Sequence, residues 1–371
     1  MTSKKKGSQG LKQQLTLNPY LKIIHTSDDE IVVKHGSRSR FTRVITDEGR
    51  SKLLGKILRN IVPSTSLEVL RQQNILKEEE LEDAIKLVDY LSQEGVLVDP
   101  TKDLTRVYLD TILRGGNALS AFTVGVIGAS YLGSRIADEL AHLGVGGLIV
   151  LDDREVQHGK IERFYFNLPP NTIEAGRSYV ECLQQHLAQH EFDNLKAINA
   201  ALDDQFSLEE VAREADFLVV ALEVFSSKIL HTVNGVAIAA EKPWVSIYFD
   251  GSEAHIGPIY VPGETCCYNE YEMQREATLG SMKDNYLLYK ETLNEEGIDG
   301  AHLIIPPYLN MASSLGVTGV LHFLISGKSF LVGRGIHLDL EQLSVDYEDV
   351  LRLPRCPACS TLRASYRHLF M

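Results

Sequence analysis

Cysteine is scarce in this chain, and long uninterrupted apolar runs are missing. Five cysteines in 371 residues are too few and too unevenly spaced for the disulfide framework of a small secreted protein. We expect no apolar run to be long enough to cross a bilayer, and the basic start has no apolar segment behind it. The sequence therefore predicts a cytoplasmic protein with no membrane partner, whose reduced thiols are free for metal chemistry.

Basic residues are outnumbered as well. The chain has 37 Lys and Arg residues against 50 Asp and Glu residues, a net charge of -13, and the excess of acid lies beyond residue 100. An acidic body repels the phosphates of nucleic acid. We therefore expect no nucleic-acid partner.

The length favours two domains. We predict a flexible N-terminus over residues 1–18, a small domain over 19–100 and a larger domain over 101–371. In the small domain, β-rich runs separated by turn residues predict a three-stranded meander, and two helical stripes and a closing strand follow. This order indicates a winged-helix-like α+β unit.

The second helix of the small domain begins with the acidic segment KEEELEDAIK, which a DNA backbone would repel. What remains is an exposed β-edge beside an apolar helix face, a surface that can accept an extended peptide as an added strand. The alternative is a wing that serves dimer contacts alone.

The larger domain follows a βαβ rhythm. After a connecting helix over 101–120, one apolar strand begins near residue 124 and a second ends at Asp152. Further strand candidates near 196–200, 217–221 and 243–248 alternate with helical stretches, which predicts a Rossmann-like, mostly parallel sheet. The segment 248–261 has hairpin character and should add antiparallel edge strands. We expect residues 270–300 to form a flexible crossover or lid, followed by a small-residue helix suited to close packing on the sheet or on a twin subunit.

The motif GASYLG at 128–133 lies between the first strand and its helix. Gly128 and Gly133 have the spacing of a dinucleotide turn, but Ser130 stands where the strict motif has glycine. Asp152 ends the next strand about 20 residues on, where a carboxylate can hold ribose hydroxyls. Two interpretations remain open at this point: a nucleotide-binding turn, or glycines that serve tight packing alone.

The stretch VGVIGASYLGSRIADELAHLGVGGLIVLDDREVQHGKIER resembles the nucleotide-binding core of the ThiF/MoeB adenylating family, whose members are related to ubiquitin-activating enzymes. The resemblance continues in ADFLVVALEVFSSKILHTVNGVAIAAEKPWVSIYFDG and extends over about residues 105–360. It implies an enzyme that uses ATP and Mg²⁺ and acts as a homodimer.

The resemblance also implies site residues. Arg163 would clamp the phosphates and Glu223 would hold Mg²⁺, both in catalytic roles. The residues that would bind the nucleotide are Gly128, Ser130, Gly133, Asp152, Asp153, Lys160, Arg163 and Glu223. The chain departs from the family where an asparagine is replaced by Lys160 and a lysine by Tyr179. The alternative is a decayed ATP site that persists as a scaffold.

A CxxC motif near the C-terminus, RCPACS at 355–360, provides half of a tetrahedral zinc site. The family completes such a site with a second CxxC motif, which here reads Cys267-Tyr268-Asn269-Glu270. The predicted zinc ligands are Cys267, Glu270, Cys356 and Cys359, with Cys266 as an extra thiol nearby. The alternative is that these cysteines are merely buried. Of the histidines, His255 is expected to face solvent or to be satisfied in the core.

The fusion of the small domain to a ThiF-like domain ending in PRCPxC resembles enzymes that modify ribosomally made peptides, and pantocin-type enzymes in particular. This resemblance implies that the small domain binds the leader of a precursor peptide, while the larger domain activates a peptide carboxylate as an adenylate or phosphate. One alternative is a non-catalytic adaptor that delivers the peptide to a YcaO-type cyclodehydratase. Another is activation of a small sulfur-carrier protein.

Overall fold

The computed structural model describes residues 11–38, 42–61, 63–113, 117–155, 177–296 and 305–360. The chain divides into two compact units, residues 1–115 and 116–371. Helices and strands are numbered below in chain order within the described residues.

The first unit combines two small antiparallel sheets with helices. Its strands are β1 (Thr16–Leu17), β2 (Lys22–His25), β3 (Glu30–Lys34), β4 (Thr42–Thr46) and β5 (Leu97–Val98). Its helices are α1 (Leu53–Asn60), α2 (Leu67–Gln72), α3 (Leu81–Gln93) and α4 (Leu104–Leu113). Strands β2, β3 and β4 form the predicted three-stranded meander.

The meander has one buried and one exposed face, as alternation along a strand requires. Ile31, Val33 and Ile45 are buried against the helices of the unit. On the opposite face, Ile24, Val32 and Val44 lie side by side across the three strands. We call these three residues the apolar strip.

Two predicted boundaries of the first unit are wrong. The end of the supposedly flexible N-terminus is ordered, because β1 pairs with β5 and the buried Asn18 accepts the backbone N–H of Tyr20 on its side chain. Helix α4 belongs to the first unit rather than the second. The reason is again Asn18, whose Nδ2 donates to Thr111 Oγ1 at 2.8 Å.

The second unit is built on an eight-stranded sheet. Its strands are β6 (Thr123–Ile127), β7 (Gly147–Leu151), β8 (Leu195–Ile198), β9 (Phe217–Leu222), β10 (Trp244–Asp250), β11 (Glu253–Tyr260), β12 (Arg334–Asp339) and β13 (Ser344–Asp349). Its helices are α5 (Tyr131–His142), α6 (Tyr179–Gln189), α7 (Gln205–Glu214), α8 (Ser227–Ala239), α9 (Tyr268–Thr278), α10 (Lys283–Glu296) and α11 (Pro306–Ser326).

The strand order is β8-β7-β6-β9-β10-β11-β12-β13. The first five strands in this order are parallel, and β11, β12 and β13 add to them in antiparallel fashion. This confirms the predicted Rossmann-like, mostly parallel sheet with antiparallel edge strands. The chain leaves β6 toward β7 and later returns to β9 on its other side. In sheets of this kind, ligands bind outside the carboxyl ends of the strands at such a reversal.

The prediction of a flexible crossover over 270–300 is wrong for its described part. Residues 268–296 form α9 and α10 with a short 3-10 turn between them. Ion pairs stabilise this arrangement, since Arg275 Nη2 lies 3.1 Å from Asp250 Oδ2 and Lys290 contacts Glu272 and Glu276. The polar composition of this segment therefore reflects helices that pack through ion pairs, and it does not indicate a loop.

Helix α11 is the predicted small-residue helix, and it packs on the sheet. A Cβ at Gly316 would lie 2.2 Å from Ile247 Cδ1, so glycine permits the close approach to β10. By length and composition α11 meets the criterion for a membrane-spanning helix, with a mean hydropathy of 1.3. The prediction that no segment is long and apolar enough to span a membrane is therefore wrong for α11. However, 56% of the apolar stretch is buried within the protein, as in the core helix of a globular unit.

Candidate functional site

The turn after β6 is shaped by close approach to a neighbouring strand. Gly128 has a φ of +101°, a conformation that favours glycine, and a Cβ there would lie 2.3 Å from the Ala221 carbonyl oxygen. A Cβ at Gly133 would lie 1.8 Å from the Gly128 carbonyl oxygen. Packing therefore explains both glycines, and the same packing brings the start of α5 close to the carboxyl ends of β6 and β9.

The N-terminus of α5 offers donors and one unsatisfied hydroxyl. Ser130 is the N-cap residue, but its side chain makes no capping hydrogen bond. Its Oγ is buried and has no hydrogen-bond partner among the described residues. A helix N-terminus with free N–H groups favours anionic ligands. Here the Leu132 N–H donates to Glu223 Oε1 at 3.0 Å.

Glu223 follows β9, and its Oε1 accepts the hydrogen bond from the N-terminus of α5. Among the described residues, Glu223 Oε2 makes no hydrogen bond. A carboxylate oxygen of this kind is a ligand that Mg²⁺ prefers. Glu223 thus lies just after β9, as the sequence predicts. Its Oε1 is held by α5, and its Oε2 remains available for an ion.

Asp152 follows β7 and is fully buried. Its Oδ2 accepts hydrogen bonds from the Ala129 N–H at 2.7 Å and from Arg154 Nη2 at 2.7 Å. Its Oδ1 accepts from the Arg154 N–H at 3.0 Å and from Arg154 Nε at 2.9 Å. Both carboxylate oxygens are therefore already engaged, and a ribose must displace the Arg154 side chain to reach them.

Among the described residues, Arg154 is a cation of this site that the sequence analysis did not predict. Its guanidinium lies 5.9 Å from the centre of the Tyr179 ring. Burial acts to lower the pKa of Arg154, but Asp152 and, more weakly, Glu223 reverse that effect and raise it. The available signal was its position, because a residue two places after Asp152 shares the same sheet edge. Tyr179, which stands where the resemblance implies a lysine, begins α6, and its N–H donates to the Arg154 carbonyl oxygen at 3.1 Å.

The structure thus brings together most of the described residues that were predicted to bind nucleotide. Those that converge at this edge are Gly128, Ser130, Gly133, Asp152 and Glu223. Asp153 is exposed. Lys160 and Arg163 lie outside the described residues, so their predicted contacts with the phosphates stay a prediction.

The four predicted zinc ligands lie together. The donor atoms of Cys267, Glu270, Cys356 and Cys359 are all within 4.8 Å of one another. Cys267 Sγ and Cys356 Sγ are 3.7 Å apart, and a tetrahedral site with Zn–S bonds of about 2.3 Å has S···S edges of roughly 3.8 Å. This donor set fits zinc. Cys266 is not part of this group in the described structure.

Glu270 ties the two halves of this cluster together. Its Oε2 accepts from the Cys267 N–H at 2.7 Å, and its Oε1 accepts from the Leu353 N–H at 2.7 Å. Burial raises the pKa of Cys267. Burial acts in the same direction on Cys356, but the N–H groups of Cys359 and Ala358 outweigh it and lower its pKa.

Comparison with known proteins identifies the family. The model of the ThiF family matches residues 105–360. Ubiquitin-like modifier-activating enzyme 5 of Xenopus laevis is 23% identical over 255 residues, and the same enzyme of Gallus gallus is 22% identical over 254 residues. These matches cover 64% of this chain, which spans 59% of the length of either relative.

Solved structures share the fold over nearly the whole chain. The crystal structure of E. coli MccB with ATP has a TM-score of 0.62 and 17% identity, covering 94% of this chain and 100% of that one. The structure of PaaA has a TM-score of 0.61 and 19% identity, covering 90% and 99%. Since the family model matches well over half of its residues, this chain belongs to the ThiF family.

Proposed function

We propose that this chain is an ATP-dependent adenylating enzyme that activates a carboxylate of a ribosomally made precursor peptide. The observation that carries the proposal is the convergence of Asp152, Arg154 and Glu223 on the N-terminus of α5. Such an arrangement suits a nucleotide with several negative charges. Support also comes from MccB, which has been crystallised with ATP and with the peptide MccA.

In the proposed reaction, a carboxylate oxygen of the peptide attacks the α-phosphorus of ATP. The bond to the bridging oxygen of the β-phosphate breaks, pyrophosphate leaves, and a mixed anhydride with AMP forms. Asp152 would accept hydrogen bonds from the ribose hydroxyls, which requires Arg154 to release it. The Arg154 guanidinium would then face the phosphates, and Glu223 would hold Mg²⁺.

The rival function is a non-catalytic adaptor that presents the peptide to a cyclodehydratase. One observation favours it: Arg154 and Ala129 already occupy both oxygens of Asp152, as expected if the ATP site has decayed. The presence of Tyr179 where the family resemblance implies a lysine also favours the adaptor.

Nucleotide turnover separates the two functions. The purified protein is incubated with labelled ATP, Mg²⁺ and synthetic peptides that match whatever short open reading frames are found beside its gene. We expect peptide-dependent formation of AMP and pyrophosphate. Formation of ADP and phosphate would instead show activation as an acyl phosphate. No ATP binding in equilibrium dialysis would overturn the enzyme and favour the adaptor.

Peptide binding is proposed for the first unit. Among the described residues, β2 and β4 each pair with β3 alone, so both have a free edge for an added strand. The apolar strip runs across all three strands, with Ile24 49% exposed and Val44 60% exposed. An extended peptide can therefore gain main-chain hydrogen bonds at an edge and apolar contacts on the outer face.

Val44→Lys is expected to weaken binding of the synthetic precursor peptide by about tenfold or more. The substitution removes apolar contact worth roughly 1.5 kcal/mol and introduces a charge. The measurement is fluorescence anisotropy with a labelled peptide. Val345→Lys is the matched control, because Val345 is 45% exposed on β13 of the second unit. Equal affinities of the two variants would contradict binding on the apolar strip.

The cysteine cluster is proposed as a structural zinc site, with Cys267, Cys356, Cys359 and one oxygen of Glu270 as ligands. Its donor set is closed, with three sulfurs and one oxygen, as in zinc sites that stabilise a fold. We also propose that the chain forms a homodimer, as the family resemblance implies.

A further inference from the structure

A second group of metal-ligating side chains lies on the antiparallel part of the sheet, away from the cysteine cluster in sequence. Glu253 and His255 are two residues apart on β11 and therefore point to the same face. His255 pairs directly with His337 of β12. The donor atoms of these three residues lie within 4.8 Å of one another.

His255 is the most informative member of this group, and the sequence prediction for it is wrong. It is 1% exposed, and neither ring nitrogen makes a hydrogen bond with any described residue. Buried polar groups in proteins nearly always have a partner, because an unpaired one costs free energy. His255 is thus a buried imidazole without a hydrogen bond, and its charged neighbour Glu253 comes no closer than 3.5 Å to Nε2. This arrangement indicates a missing ligand.

The rings are held in place by their neighbours. Tyr248 stacks on His255 with ring centres 4.7 Å apart and planes within 7°, and the His255 and His337 rings meet edge to face at 4.5 Å. Glu348 Oε2 lies 2.8 Å from His337 Nε2. A carboxylate that holds the imidazole in this way is typical of histidines that ligate metals.

The distances and charges suit a divalent cation. Glu253 Oε2 lies 3.5 Å from His255 Nε2, and tetrahedral zinc with bonds of about 2.0–2.1 Å has donor–donor edges of roughly 3.4 Å. Arg275, the nearby cation, is paired with Asp250. The carboxylates of Glu253 and Glu348 therefore remain to balance a bound ion.

We propose that Glu253, His255 and His337 form a zinc site of their own, with two nitrogen ligands, one oxygen ligand and a fourth position for water. Zinc accepts this donor set in proteins. The ion can enter from the Glu253 side, because that side chain is 50% exposed. Bound zinc would join β11 to β12 and so stabilise the antiparallel edge of the sheet.

Metal counting on the full chain tests this site against the cysteine cluster. The protein is stripped with a chelator and titrated with Co²⁺ and with Zn²⁺, and bound metal is measured by elemental analysis. We expect Cys356→Ser to retain one bound Co²⁺ with visible d–d bands and without a thiolate-to-cobalt charge-transfer band. His337→Asn and Glu253→Gln should lose that ion and, if the cysteine cluster is loaded, keep the charge-transfer band.

His322→Asn on α11 is the matched control, because His322 is outside both clusters, and it should bind as the unchanged protein does. If the Cys356→Ser protein binds no Co²⁺ while its circular dichroism is unchanged, the proposal is overturned. It is also overturned if Glu253→Gln and His337→Asn each bind as much metal as the unchanged protein. The Glu253→Gln variant alters a half-exposed side chain, so it tests the site even if His337→Asn fails to fold.

Discussion

Glu223→Gln is expected to fold normally and to form AMP at least about 100-fold more slowly than the unchanged protein. The glutamine carbonyl oxygen can still accept the hydrogen bond that the Leu132 N–H donates to Glu223. What the substitution removes is the negative charge that would hold Mg²⁺ beside the phosphates. Electrostatic contacts of this kind are worth several kcal/mol in the transition state.

The measurement is peptide-dependent AMP formation at saturating ATP, with thermal unfolding as the check on folding. Glu209→Gln is the matched control, because it removes an acid from α7 whose side chain contacts Gln205. We expect the control to react at the rate of the unchanged protein. A near-normal rate for Glu223→Gln would exclude a role for this carboxylate in holding the metal.

Asp152→Ala is expected to lower the free energy of unfolding by about 3–5 kcal/mol, because it leaves the buried Arg154 guanidinium without its partner. The Arg154 side chain is 15% exposed, and Asp152 is 0% exposed. The double variant Asp152→Ala, Arg154→Met should recover much of this loss, since it removes the unpaired charge. Urea denaturation of the single and double variants measures the coupling between the two residues.

Asp349→Ala provides the comparison for this pair. Asp349 pairs with Arg334 on the surface, where the side chains are 68% and 43% exposed, and such pairs contribute roughly 0–1 kcal/mol. If Asp152→Ala costs no more than Asp349→Ala, then Asp152 does not hold a buried charge. The Arg154→Met variant also frees the carboxylate oxygens of Asp152 from the guanidinium. Equilibrium dialysis of this variant shows whether the affinity for ATP rises or falls.

The parallel sheet and the place of the site could be predicted because they depend on local pattern. Apolar runs separated by helical stretches require parallel strands, and the carboxyl ends of those strands share one edge. Gly128, Asp152 and Glu223 each follow such a run, so their convergence follows from the order of the elements.

The state of the site could not be predicted in the same way. The position of the Arg154 side chain depends on Asp152 and on the ring of Tyr179, which lies 25 residues later in the chain. Helices α9 and α10 were missed because their stability comes from buried ion pairs, such as Lys290 with Glu272. Apolar periodicity carries no signal for contacts of that kind.

The two hydrogen bonds of Glu270 have a consequence for how the cysteine cluster assembles. One carboxylate joins the backbone N–H groups of Cys267 and Leu353, two positions far apart in the chain. Both hydrogen bonds are made between protein atoms, so they hold the segment before Cys356 beside Cys267 without any contribution from a metal ion. If zinc binds as proposed, it would enter a set of ligands that these hydrogen bonds already hold together, and less chain entropy would be lost on binding.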